Sequence, residues 1–136
     1  MITAIDTNVL VDVLMAYSRF GPASARAMRA CADRGALIVC EVVLAETAAG
    51  IEDAAELGDA LGELGIRFVP ANEETATWAG ATWQRYRRQG GRRDRIIADF
   101  LVGAHARMRA DRLLTRDRGF FRAYFDELVV LDPGQS

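Results

Sequence analysis

Short apolar runs alternate with helical patterns along the chain, and this alternation limits most strongly the folds it can adopt. The runs of strand length are ITAI at 2–5, ALIVC at 36–40, IRFV at 66–69, LLT at 113–115 and LVVL at 128–131. Their nearly continuous hydrophobicity is typical of parallel strands that are covered on both faces. The pattern therefore predicts an α/β fold, a three-layer helix–sheet–helix sandwich with right-handed crossovers.

Helix signals lie between these runs. Residues 22–33 are rich in Ala after a Gly-Pro start, and Asn72 precedes two glutamates, as at many helix N-termini. Apolar residues recur at helical spacing again over 96–108. A chain of 136 residues is long enough for one hydrophobic core, so we expect a single domain over 1–136.

Composition excludes several classes of enzyme. All 17 basic residues are Arg, so mechanisms that need a lysine, such as a Walker loop or a Schiff base, are ruled out. Two widely spaced cysteines, Cys31 and Cys40, are interpreted as buried thiols in a reducing compartment. No signal peptide or membrane span is evident, and we expect a cytoplasmic protein that does not bind membranes.

Four acidic residues are candidates for chemistry, because α/β folds place their sites at the carboxyl ends of strands. Asp6 directly follows the first run, and Asp117 lies two residues past the fourth. Asp99 interrupts the front of an apolar helix, and Glu46 shares a helix face with apolar residues expected to point inward. Each alone has a structural alternative: a helix N-cap for Asp6, a turn for Asp117 and a favourable helix-dipole position for Asp99.

Taken together, these acids predict a metal site. Carboxylates grouped around one pocket cannot all stay ionised unless a cation neutralises them. Carboxylate oxygens are ligands for Mg²⁺ and Mn²⁺, whereas His and Cys at zinc-ligand spacing are absent from the sequence. Such a site suits phosphodiester hydrolysis, in which the metal polarises a phosphoryl oxygen and a bound water attacks.

Four segments in register resemble the PIN domain family, in the order and spacing of its small VapC-like toxin ribonucleases. They are IDTNVLVD at 5–12, VVLAET at 42–47, DFLVGAHA at 99–106 and LLTRDRGFF at 113–121. The resemblance implies a PIN-like three-layer sandwich whose central, mostly parallel sheet has four to five strands flanked by helices. It also implies a metal-dependent endoribonuclease, the toxin of a type II toxin–antitoxin pair, that uses Mg²⁺ or possibly Mn²⁺ and has a cognate antitoxin. Self-association as a homodimer follows from the resemblance alone.

The resemblance assigns residues one by one. Asp6, Glu46, Asp99 and Asp117 match the acidic quartet of the family, which serves as metal ligands and catalytic residues. The supporting polar residues of the family are matched by Asn8 and Thr115. Gly103 stands where the family motif has Ala, which is a conservative departure.

Other polar residues compete for these roles. Asp94 lies in an Arg-rich loop, where an exposed ion pair is the expected use. Glu41 sits at a strand end and could replace Glu46, but the helix-face argument favours Glu46. Asp12 is one turn too far along to share the direction of Asp6, and His105 points about 240° around the helix from Asp99, as a structural or surface histidine.

Candidate RNA contacts are basic. Arg92 and Arg93 belong to the dense stretch at 85–95, which is either a phosphate-binding rim or a solvated helix end paired with the acidic stretch 52–63. Arg116 and Arg118 flank Asp117 and are better placed to meet a scissile phosphate. The aromatic residues at 78, 83 and 86 could stack on bases, but their helical spacing favours core or dimer packing.

A second function stays open: a non-catalytic PIN-fold domain that acts by docking protein or RNA. A phospho-accepting response regulator needs adjacent acids after the first strand and a later lysine, which this sequence lacks. A haloacid-dehalogenase-like phosphatase needs Asp-x-Asp where this chain has Asp6, Thr7 and Asn8.

Overall fold

A single parallel sheet of five strands organises the protein, in a computed structural model that describes residues 1–15 and 19–135. Its order is β3-β2-β1-β4-β5, and every neighbouring pair is parallel. The strands are β1 (Ile2–Ile5), β2 (Ala36–Val39), β3 (Ile66–Phe68), β4 (Arg112–Leu114) and β5 (Val129–Leu131). The predicted α/β class and all predicted strands are confirmed, with each strand end within one residue of its predicted position.

Seven α-helices within the described residues connect and flank these strands. They are α1 (Thr7–Leu14), α2 (Gly21–Ala32), α3 (Glu41–Gly50), α4 (Leu57–Glu63), α5 (Glu73–Arg88), α6 (Ile97–Arg109) and α7 (Arg118–Tyr124), with short 3-10 turns at Ala54–Glu56 and Pro133–Gln135. The predicted helices correspond to α2, α5 and α6, and the side chain of Asn72 caps α5 by accepting from Thr75 N at 2.8 Å.

The order in which the chain adds strands to the sheet changes direction after β3. The chain first moves outward from β1 to β2 and β3, then crosses back through α5 and α6 to β4 on the other side of β1. Since parallel crossovers are right-handed, the earlier connections lie on one face of the sheet and the later ones on the opposite face. The boundary between β1 and β4 is therefore the topological switch point, where α/β folds hold their sites.

An aromatic cluster packs α5, α6 and α7 together. The Tyr86 ring lies 5.2 Å from the Phe100 ring, and the Trp78 ring lies 5.7 Å from the Phe125 ring. Trp83 is half-buried, with the guanidinium of Arg87 4.3 Å from the centre of its ring. These contacts agree with the predicted packing role of the aromatic residues, since the Tyr86 ring is buried and the Trp78 and Trp83 rings are half-buried against the core.

The remaining candidate side chains are structural. His105 is buried, and one ring nitrogen donates to the carbonyl of Val69 at 2.7 Å, while burial lowers the pKa of the imidazole. Cys31 and Cys40 are buried free thiols, as predicted, and burial raises the pKa of Cys40. Within residues 1–15 and 19–135, every helix is too short or too polar to cross a membrane.

Candidate active site

The carboxyl ends of β1 and β4 bring the first two polar residues together. Asp6 directly follows β1, Thr115 directly follows β4, and the backbone N–H of Asp6 donates to the carbonyl of Leu114 at 3.0 Å. This bond continues the pairing of the two strands past their last residues. Both side chains are thereby fixed at the same edge of the sheet, at the switch point.

Asp6 is a buried carboxylate, 9% exposed, with defined partners for both oxygens. Its Oδ1 accepts from the backbone N–H of Thr7 at 2.8 Å, and its Oδ2 accepts from the hydroxyl of Thr115 at 2.7 Å. The first of these bonds caps α1, so the N-cap interpretation of Asp6 is also correct. Burial raises its pKa to about 6, the carboxylates of Glu46 and Asp117 add to the rise, and the hydrogen bonds from Thr115 and Thr7 oppose it.

Asn8 and Thr115 form the support that the family resemblance implies. The amide nitrogen of Asn8 lies 3.4 Å from the Thr115 hydroxyl, and its amide oxygen accepts from the backbone N–H of Arg116 at 3.2 Å. The Thr115 hydroxyl also accepts from the backbone N–H of Asp117 at 2.9 Å. One hydroxyl therefore joins Asp6 to the backbone at Asp117.

Glu46 reaches the same site from α3. Its Oε1 accepts from the hydroxyl of Thr7 at 2.7 Å, and its charge contributes to the raised pKa of Asp6. The expectation that Glu46 faces inward with its apolar neighbours is wrong, because the residue is exposed while Val43 is buried. Glu46 lies at the rim of the site, where its charge costs little desolvation.

Asp117 and Asp99 are joined by a residue that the sequence analysis missed, Arg95. The Arg95 guanidinium donates to both oxygens of Asp117, at 2.5 and 3.2 Å, and lies 3.9 Å from Oδ1 of Asp99. Asp99 is half-buried, and its Oδ2 accepts from the backbone N–H of Ile96, which caps α6. The i, i+4 spacing of Arg95 and Asp99 was a signal that could have revealed the pair.

The four predicted acids thus belong to one connected site, which we call the acidic site: Asp6, Glu46, Asp99 and Asp117. Contacts through Thr7, Thr115 and Arg95 link them from one end to the other. Its donors are all oxygen atoms, the ligand type that a hard divalent cation prefers. Among residues 1–15 and 19–135, however, no three His, Cys, Asp or Glu side chains are already close enough to share one ion.

The rival acids have other partners. Both oxygens of Glu41 accept from the backbone N–H of Ala71, at 3.2 and 3.0 Å, so Glu41 holds the segment that leads to α5. Asp94 lies 3.6 Å from the exposed Arg92 guanidinium, which is the predicted surface ion pair. The buried carboxylate of Asp12 accepts from the Ser24 hydroxyl at 2.8 Å.

The candidate RNA-contacting arginines differ in their availability. The Arg116 guanidinium is engaged with Asp12, at 2.7 Å from Nε and 3.1 Å from Nη2, and lies 4.1 Å from the centre of the Phe20 ring. Arg118 lies 3.5 Å from a carboxylate oxygen of Asp132. Arg92 and Arg93 are exposed, and the Arg92 side chain has 86% of its surface accessible.

A parallel five-stranded α/β sandwich with Asp6 and Thr115 paired at its switch point defines the class of this protein. A family model described as "PIN domain" matches residues 3–126, and the chain belongs to the PIN domain family. A search of curated protein sequences found no significant match.

Solved structures of similar fold include toxin–antitoxin proteins. VapBC2 from Rickettsia felis, bound to a promoter DNA fragment, has a TM-score of 0.75 at 17% identity, covering 97% of this chain and 98% of that one. FitAcB from Neisseria gonorrhoeae has a TM-score of 0.72 at 21% identity, covering 100% of both chains. VapC20 from Mycobacterium tuberculosis, a toxin that cleaves the Sarcin-Ricin loop, has a TM-score of 0.66 at 18% identity, covering 93% of this chain and 98% of that one.

Proposed function

We propose that this protein is a divalent-metal-dependent endoribonuclease, the toxin of a type II toxin–antitoxin pair. The observation that supports the proposal is the chain of contacts through Thr7, Thr115 and Arg95 that links the four acids, with Asp6 buried at the switch point. A carboxylate whose pKa is raised chiefly by burial is costly to keep ionised in a purely structural role, and a bound cation would offset that cost. The similar folds of toxin–antitoxin proteins support the biological role.

Asp6, Glu46, Asp99 and Asp117 would hold Mg²⁺ or Mn²⁺. The bound ion would polarise a phosphoryl oxygen and make a coordinated water a better nucleophile at neutral pH. The chain itself supplies orientation, because the Thr115 hydroxyl fixes one oxygen of Asp6 and the Thr7 hydroxyl fixes one oxygen of Glu46. Asp6 is largely ionised at pH 7 and above, which leaves it able to bind a cation.

RNA would approach over the rim of the acidic site. Arg92 and Arg93 are exposed on the segment that precedes α6 and suit phosphate contacts. Arg118 lies next to Asp117 and is a further contact. Arg116 is a weaker candidate than the sequence alone suggested, because its guanidinium is paired with Asp12.

A cleavage assay tests this function. The purified protein should cleave bulk RNA only with Mg²⁺ or Mn²⁺, and Asp6→Asn and Asp99→Asn should each abolish cleavage while remaining folded. Cleavage that persists in excess chelator would refute the metal mechanism. A cognate antitoxin should suppress cleavage, and light scattering should give the mass of a homodimer.

The second candidate is a non-catalytic PIN-fold domain that docks protein or RNA. The Arg95–Asp117 pair favours it, because a guanidinium already neutralises part of the acidic site. This candidate predicts no cleavage of any RNA with any divalent metal, so the same assay distinguishes the two functions.

A further inference from the structure

Arg95 is a cation held inside the acidic site by three kinds of contact. Its two terminal nitrogens donate to the two oxygens of Asp117, at 2.5 and 3.2 Å, in the bidentate geometry that is strongest for a carboxylate. Nη1 also lies 3.9 Å from the carboxylate of Asp99, one helical turn further along the chain. These two acids lie on different elements, Asp99 on α6 and Asp117 before α7, so Arg95 bridges them.

An aromatic ring also contacts the Arg95 guanidinium. Its central carbon lies 4.2 Å from the centre of the Phe120 ring, a cation–π distance. Phe120 is buried and packs edge-on against Phe100, at 5.3 Å between ring centres, so the ring is fixed. The Arg95 side chain is only 27% exposed, whereas the Arg92 side chain in the same segment is 86% exposed and has only a surface contact with Asp94.

The position of Arg95 conflicts with simultaneous metal binding. A divalent ion ligated by Asp117 would lie within a few ångströms of the guanidinium that now engages both oxygens of this carboxylate. At that separation two cations repel strongly in a partly desolvated site. The guanidinium and the ion therefore compete for Asp117.

We propose that Arg95 is the resident counter-ion of the acidic site and that a divalent ion binds by displacing it from Asp117. The inference rests on the proposed function, since it concerns the same carboxylates. It makes Arg95 a positioning residue, because it acts through Asp117 rather than on RNA. Metal affinity is then set by an exchange of cations and is weaker than the four carboxylates alone would give.

Mn²⁺ binding to the full chain, measured by titration calorimetry at pH 7.5 without RNA, tests the exchange. Arg95→Gln should bind Mn²⁺ roughly tenfold more tightly than the unmodified protein, because one competing charge beside the site is gone. Arg95→Lys keeps the charge but loses the bidentate fork, and its affinity should lie between the two. Arg109→Gln makes the same change of charge on the exposed last turn of α6, away from Asp99, and should match the unmodified protein.

Side-chain NMR of the unmodified protein gives a second test that requires no variant. In the metal-free protein the Arg95 guanidinium signals should indicate slow rotation about the Nε–Cζ bond, because both terminal nitrogens are held by Asp117. Added Mg²⁺ should speed up this rotation in proportion to the fraction of protein that has bound the ion. Equal or weaker Mn²⁺ binding by Arg95→Gln, in a variant that melts cooperatively, would overturn the exchange while leaving the metal site intact. Failure of the unmodified protein and of Arg95→Gln to bind Mn²⁺ at millimolar concentrations would instead overturn the proposed function, and the exchange with it.

Discussion

The hydroxyl of Thr115 donates to Oδ2 of Asp6 at 2.7 Å and also accepts from the backbone N–H of Asp117 at 2.9 Å. It therefore links two acidic residues of the acidic site. A residue that donates to one acid and accepts from the backbone of another couples their positions. It also lowers the pKa of Asp6, against the larger effect of burial.

Replacing Thr115 with Val should weaken both the site and the fold. The substitution removes the donor to Asp6 and leaves the N–H of Asp117 without its acceptor, so unfolding should become easier by about 1–3 kcal/mol. The pKa of Asp6 should rise above about 6, which carbonyl NMR titration can follow. Thr115→Ser keeps the hydroxyl and is the matched control; an unchanged pKa in the Val variant would contradict this role.

Asp6→Asn should stabilise the metal-free protein at neutral pH. Raising the pKa of Asp6 from 3.8 to about 6 costs the folded state on the order of 3 kcal/mol when the group is ionised, and Asn avoids that cost while still capping α1. Thermal unfolding in chelator at pH 7.5 should give a higher melting temperature for the variant. A fall of several degrees would mean that Asp6 is required for folding.

The advantage of Asp6→Asn should depend on pH in one direction. Because the pKa of Asp6 is higher in the folded state than in the unfolded state, the folded protein binds the proton more readily between pH 4 and 6. Stability from this group is therefore complete below about pH 4 and is lost as pH rises through about 6. The difference in melting temperature between the variant and the unmodified protein should shrink from pH 7.5 to pH 5, and a constant difference would exclude ionisation as its cause.

Glu46→Gln and Glu41→Gln should separate function from folding. Glu46 is exposed and belongs to the acidic site, so its variant should lose most of the cleavage activity while its melting temperature rises, by less than that of Asp6→Asn. Glu41 accepts from the N–H of Ala71, so its variant should lose about 1 kcal/mol of stability and keep its Mn²⁺ affinity. Titration calorimetry of Mn²⁺ binding and thermal melting curves on the two variants check these expectations. Loss of Mn²⁺ affinity in Glu41→Gln, with unchanged affinity in Glu46→Gln, would identify Glu41 rather than Glu46 as the metal ligand.

Particular residues explain how far the sequence could predict this site. Asp6 could be predicted from the sequence because it follows a buried strand, and strand ends of a parallel sheet converge. Thr115 was assigned through the family resemblance, since the predicted strand at 113–115 included it. The inward orientation expected for Glu46 was wrong because sequence spacing shows which residues share a helix face, but not how far the helix is rotated against the core. Arg95 was missed because its main partner, Asp117, is 22 residues away and lies on another element.

Two short helices, α4 and α7, were also not predicted from the sequence. Helix α7 begins in a segment whose Asp-x-Gly composition is typical of a turn. Helix α4 does carry a signal, since Leu57, Ala60, Leu61 and Leu64 recur at helical spacing, but the acidic residues between them drew the interpretation towards a charged stretch. Both helices are stabilised by tertiary contacts: Phe120 and Phe121 of α7 and Leu57 and Leu61 of α4 are buried in the core. For α7, contacts of this kind are not visible as local periodicity.

Gly103→Ala should destabilise the protein although the family motif has Ala at this position. A Cβ at Gly103 would lie 2.3 Å from Cζ of Phe125, far inside van der Waals contact. Phe125 is 1% exposed and its ring packs against those of Trp78 and Phe100, so it has little room to move. Overpacking typically costs about 1–3 kcal/mol, whereas Ala in place of Gly within a helix gains about 1 kcal/mol, so the clash should prevail. Chemical unfolding should show the loss, and Phe125→Leu should partly restore stability in the Ala background while being harmful alone. A Gly103→Ala protein more stable than the original would mean that the Phe125 ring moves aside freely.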